Sequence, residues 1–116
     1  MSATEFLHKA VAIMEERGKQ YDSPAGERSM GRCVAAFNAI TGKDLTESEG
    51  WLLLQVLKDV RQWQNPGAFH RDSAEDCIAY AALKAESLAQ ECPLPPAGWR
   101  CTRRAGHEGP CAAVVK

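Results

Sequence analysis

The chain has 116 residues, 45% apolar and 25% charged, with a formal net charge of −1. That suffices for one domain around a single modest core, and no apolar run approaches the ~20 residues of a membrane span. The charge is unevenly divided: residues 1–91 carry ten Lys/Arg against fourteen Asp/Glu, and residues 92–116 carry four against one. An acidic body disfavours nonspecific nucleic-acid binding, which needs a basic surface to neutralise phosphates, so only the tail could serve an adaptor role. The opening residues lack the unbroken apolar stretch of a signal peptide, and a cytoplasmic protein with reduced thiols is expected.

Four helices account for residues 1–91. Ser2 with Glu5 forms a capping-box pattern, and Phe6, Leu7, Ala10, Val11 and Met14 follow at helical spacing up to a stop at Gly18. The turn "YDSPAGE" offers Ser23 as N-cap and Pro24 in the first position of a second helix. There Met30, Cys33, Val34, Phe37 and Ile40 share a stripe that ends at Thr41-Gly42, glycine supplying the left-handed closing residue. Thr46 and Glu49 make another capping box for a third helix reaching Asn65-Pro66. Its centre, "WLLLQVLKDVRQW", is apolar on most sides, which places it in the middle of the bundle. It carries more apolar surface than three short helices cover, so a homodimer or homotetramer is expected.

The fourth helix takes Asp72 as N-cap and Glu75 at the third position, roles that need no function beyond satisfying free N–H groups. Cys77, Ile78, Ala81, Ala85 and Leu88 make its expected inward face, and Cys33 and Cys77 are expected in the core. His8 and His70 suit surface or capping positions. No alternating strand pattern and no repeat is evident.

Asp76 lies a turn inside that helix, on one stripe with Tyr80 and Leu83, where an unpaired carboxylate would be costly. Lys58 and Arg61 share a face of the third helix; either they are snorkelling side chains, or one meets Asp76 across a cleft where phosphate could also bind. Glu15, Glu16 and Arg17, just before Tyr21, either form a solvated helix end or close that cleft from a third side.

Residues 92–116 contain four prolines, three glycines and no helical period, and form a C-terminal appendage to the 1–91 body. Cys92, Cys101, His107 and Cys111 suit a tetrahedral zinc site that would staple a segment lacking its own core. The alternative is a disordered extension with incidental cysteines.

The order "EERGKQYDSP", "LTESEGWLLLQVLKDVRQWQNP" and "HRDSAEDCIAYAALKAE", over residues 5–90, resembles a family of small bacteriophage proteins of unassigned function. That family is similar to the MazG-like all-α nucleoside triphosphate pyrophosphatases. The resemblance implies a four-helix bundle, assembled as a dimer or tetramer, with a nucleotide cleft between helices. It also implies metal ligands on an E-x-x-E helix and an E-x-x-D helix. Asp76 matches the last acid of the second motif, with Ser73 in place of its Glu and Asp72 one turn earlier. The E-x-x-E helix departs, reading Lys58-Asp59-Val60-Arg61, which replaces metal ligands with phosphate-binding cations.

The expectation is thus a phage-encoded nucleotide-binding protein of the infected host's cytoplasm. If it is a nucleoside triphosphate pyrophosphohydrolase, Asp72, Asp76 and Glu16 would hold Mg²⁺ or Mn²⁺. Lys58, Arg61, Tyr80 and Tyr21 would contact the nucleotide. The competing expectation is a noncatalytic counter-defence protein that binds a host signalling nucleotide or a host protein.

Overall fold

The computed structural model describes residues 1–21, 29–106 and 109–115, side chains at 18–21 and 113–115 excepted. Four helices run in order, α1 (Ala3–Tyr21), α2 (Ser29–Thr41), α3 (Glu47–Trp63) and α4 (Arg71–Ala89). Two short strands, β1 (Trp99–Cys101) and β2 (Ala113–Val115), follow in the tail. The architecture is the expected all-α bundle. An α3–α4 hairpin forms its spine, with α1 packed against α4 and α2 against α3. No helix among the described residues is long and apolar enough to cross a membrane.

Local chemistry sets most helix ends. Ser2 Oγ accepts the Glu5 N–H at 3.2 Å, fixing the start of α1. That helix continues through Gly18 rather than stopping there; one glycine among good helix formers costs only about 1 kcal/mol. The expected Ser23 cap and Pro24 lie outside the described residues. At the far end of α2, Gly42 adopts φ 71° and its N–H reaches the Asn38 carbonyl at 2.9 Å. The Asn38 side chain then bonds both the N–H and the carbonyl of Leu45, closing the turn into α3. Thr46 and Glu49 form the reciprocal capping box, each side chain bonding the other's backbone N–H.

The start of α4 differs from expectation. His70, not Asp72, is the N-cap residue, because the Gln62 side chain holds the Ala68 carbonyl and the His70 N–H and seats the backbone there. The His70 ring bonds Ser73 Oγ. Asp72 is an exposed acid in the first turn. Glu75 is buried rather than capping, with Arg71 Nη1 3.8 Å away supplying charge but no hydrogen bond.

The core is small: Met30, Val34, Trp51 and Leu83, with Met14, Leu45, Leu54 and Tyr80 packed against it. Trp51 is stacked on Tyr80 at a centroid distance of 5.7 Å. The helices α2 and α3 touch at Gly50, where an added Cβ would come within 2.5 Å of Met30 Sδ.

Two inward faces are rotated from expectation. On α4 the buried residues are Ser73, Glu75, Ala79, Leu83 and Ser87, with Leu88 and Ala85 exposed. On α3, Leu52, Leu53, Val56, Val60 and Trp63 are exposed, so the helix is not wrapped by its neighbours. Cys33 is likewise exposed, not core, and Cys77 is half-buried.

The tail is more regular than its composition suggests. Its strands pair antiparallel with Trp99 opposite Val115 and Cys101 opposite Ala113. A second pairing joins Glu91 to Arg104, and the Cys92 N–H bonds the Arg103 carbonyl at 3.0 Å. Gly98, at φ 87°, turns the chain into β1, with the Trp99 N–H returning to the Pro96 carbonyl at 3.1 Å.

Candidate functional site

Asp76 on α4 receives two cations. Lys58 Nζ from α3 stands 3.0 Å from Oδ2, and Arg17 Nη2 from α1 stands 3.1 Å from Oδ1. The Asp76 and Lys58 side chains are only 14% and 12% exposed, so little water screens them. Burial alone would favour a neutral Arg17, but the Asp76 charge and the Tyr80 hydroxyl outweigh it and hold the guanidinium protonated. Lys58 and Arg17 share one carboxylate where three helices meet, and Asp59 beside Lys58 adds a second acid at the groove.

Lys58 also borders a groove of about 550 Å³ between the start of α1, the C-terminal turns of α3 and the first half of α4. Its walls are chiefly Phe6, Leu7, Phe69, Ala74 and Ile78, with Lys58, Asp59 and Gln62 on the α3 side. Phe6 meets Phe69 edge-on at 6.1 Å, closing one end. Cys77 lines this groove, and burial together with Asp59 pushes its thiol up, so it stays protonated.

Among the other sequence-predicted residues, Arg61, Asp72 and Glu16 are exposed on three different helices. Tyr80 has its ring on Trp51 and its hydroxyl on Arg17. The Tyr21 side chain lies outside those described. Among the described residues, no trio of carboxylates comes together as a cation site. Both Asp76 oxygens face cations, so these donors do not suit Mg²⁺ or Mn²⁺.

The group that does converge lies in the tail. The sulfurs of Cys92, Cys101 and Cys111 all lie within 4.8 Å of one another. Cys92 Sγ and Cys111 Sγ are 3.8 Å apart. Three thiolates on one tetrahedral zinc, each at ~2.3 Å, stand ~3.8 Å from each other, so the spacing fits. Cys92 and Cys101 are buried, and the five cysteines are not disulfide-bonded. Burial pushes the Cys101 thiol up, but the N–H groups of Arg103 and Ala112 and the two neighbouring thiols more than offset it and hold it at about 7. Cys111 is pushed up to about 11 by burial and by sharing hydrogen bonds and charge with Cys92 and Cys101. These three residues could hold a metal such as zinc. His107, the expected fourth ligand, lies outside the described residues.

Sequence reasoning missed how the tail is seated. Arg104 makes two bonds of 2.6 Å to Glu47, and Arg100 makes one of 2.7 Å to Glu49. The only hint was the charge split between a basic tail and an acidic body.

No curated protein and no solved structure matches this chain. Residues 5–88 match the family model described as a domain of unknown function, DUF6378, and the chain belongs to that family.

Proposed function

We propose that the helical body is a MazG-like, phage-encoded domain that binds a phosphate-bearing nucleotide. The observation that carries this reading is the position of Lys58, a little-exposed cation that borders the apolar groove where α1, α3 and α4 meet. A base would lie against Phe6 and Ile78, and its phosphates would meet Lys58, with Arg61 one turn further along α3. Lys58 and Arg61 stand where the related enzymes carry metal-binding acids, and Asp76 is neutralised by cations. Both features favour binding without turnover, as in sequestration of a host signalling nucleotide, over pyrophosphohydrolysis.

The outward arc of α3 supports self-association. Its inward side carries Ser48, Trp51, Leu54, Gln55, Lys58 and Gln62, while Leu52, Leu53, Val56, Val60 and Trp63 face outward, 47–70% exposed. Monomers rarely expose a contiguous apolar face of that length, and a second copy of α3 would cover it. In the tail, we assign the metal as zinc, with His107 completing the ligand set of Cys92, Cys101 and Cys111.

A thermal-shift screen of nucleoside triphosphates and cyclic nucleotides, with and without Mg²⁺ or Mn²⁺, tests the nucleotide reading. It expects stabilisation by at least one phosphorylated ligand without added metal. No stabilisation by any of them would contradict it.

A further inference from the structure

We propose that metal in the thiol centre acts as a clasp that closes the tail over the first turn of α3 and stabilises the helical body. This rests on reading Cys92, Cys101 and Cys111 as a metal centre.

Two of those cysteines adjoin residues that grip α3. Arg100 immediately precedes Cys101, and its Nη2 bonds Glu49 Oε1 at 2.7 Å and Thr46 Oγ1 at 3.5 Å. Arg104, three residues beyond Cys101, clamps both oxygens of Glu47. Glu91 immediately precedes Cys92, pairs across with Arg104, and accepts the Ser48 hydroxyl at 3.3 Å. Beneath these contacts, Thr46 and Ser48 are buried and bonded to each other at 3.0 Å, so the tail covers the cap of α3. The next turn carries Trp51, the largest core residue.

Among the described residues, the tail is otherwise held by short backbone pairings such as the Ala105 N–H on the Gln90 carbonyl at 2.7 Å. Strands of three residues form no stable hairpin alone. Surface ion pairs are individually weak because two long side chains must be held in one geometry. A metal bound to three cysteines spread from residue 92 to residue 111 fixes the backbone at both ends of that geometry. Arg100 and Arg104 then reach their partners with much of the ordering already done. Because the clasped state alone would present the assembled ligands, metal binding draws the equilibrium toward it.

The test uses the full chain purified with zinc and without chelators. Zinc is counted by elemental analysis, and helix melting is followed by circular dichroism before and after chelation. An Arg100→Gln/Arg104→Gln variant keeps the three cysteines and loses the grip. The expected result is about one zinc per wild-type chain and a chelation-induced drop in melting midpoint of roughly 5 °C or more. The double variant should bind the same zinc, with a drop less than half as large. Zinc bound but with no change in the wild-type midpoint, or an equal drop in the variant, would overturn the clasp and leave the metal centre standing. Absence of zinc would overturn the metal reading and the clasp with it.

Discussion

Lys58 and Asp76 meet at 3.0 Å across the α3–α4 interface, with Arg17 completing the pair from α1. This contact ties three helices together and sets the charge at the head of the groove. Removing Asp76 leaves Lys58, 12% exposed, and Arg17, 34% exposed, without their shared partner. Asp76→Ala should therefore cost about 2–4 kcal/mol, toward the range for breaking a buried pair. Lys58→Met keeps the Arg17 pairing and should cost about 1 kcal/mol or less. Chemical denaturation of both variants checks this, and equal losses would mean that Lys58 holds the cluster as firmly as Asp76 does.

Gly50 makes a second structural prediction. Gly50→Ala gains about 1 kcal/mol in helix propensity, yet its methyl would meet Met30 Sδ and Val34 Cγ2. Met30 can swing aside only by opening a four-residue core, so a net loss of about 1–2 kcal/mol is expected. A variant as stable as wild type would show that α2 can slide along α3.

The capping box at α3 predicts a pH dependence. Burial pushes the Glu49 carboxyl up, but the Thr46 N–H and hydroxyl and the Arg100 guanidinium outweigh it, holding the pKa below the ordinary 4.5. A carboxyl lowered on folding adds stability that is full above its unfolded pKa and is lost as pH falls through the folded value. The wild-type advantage over Glu49→Gln in urea midpoint should be constant well above 4.5 and shrink as the pH falls below it through the lowered folded value. An advantage that persists in acid would show that the charge of Glu49 contributes nothing.

Much of this was legible in the sequence. The Thr46/Glu49 box and the stop at Gly42 follow from spacing; the cost of an unpaired acid pointed Asp76 toward Lys58 or Arg61 without choosing between them or excluding snorkelling, and the structure selects Lys58. The inward face of α4 was not legible, because counting apolar residues selects Cys77, Ile78 and Leu88. The buried side is instead built on Ser73, Ala79, Leu83 and Ser87. His70 was missed as the cap because the group that seats it, Gln62, is eight residues away on α3. The tail hairpin escaped notice because three-residue strands have no alternation to read. Pairing brings Cys101 toward Cys92 and Cys111 in a way that spacing alone suggests only as a ligand set.

The exposed arc of α3 predicts a dimer or tetramer by light scattering at micromolar concentration. Leu53→Glu or Val60→Lys should yield monomers with unchanged helix content, since both side chains face outward. A wild-type monomer would contradict the self-association reading.

The central claim, that Lys58 receives phosphate at the mouth of the groove, is tested most directly by calorimetric titration. A nucleoside triphosphate selected by the thermal-shift screen and its unphosphorylated nucleoside would each be titrated into wild type and Lys58→Ala. The account predicts that the variant loses at least tenfold in affinity for the triphosphate and binds the nucleoside as wild type does, because phosphate is the one ligand group that the ammonium would contact. Triphosphate affinity unchanged by Lys58→Ala would contradict it.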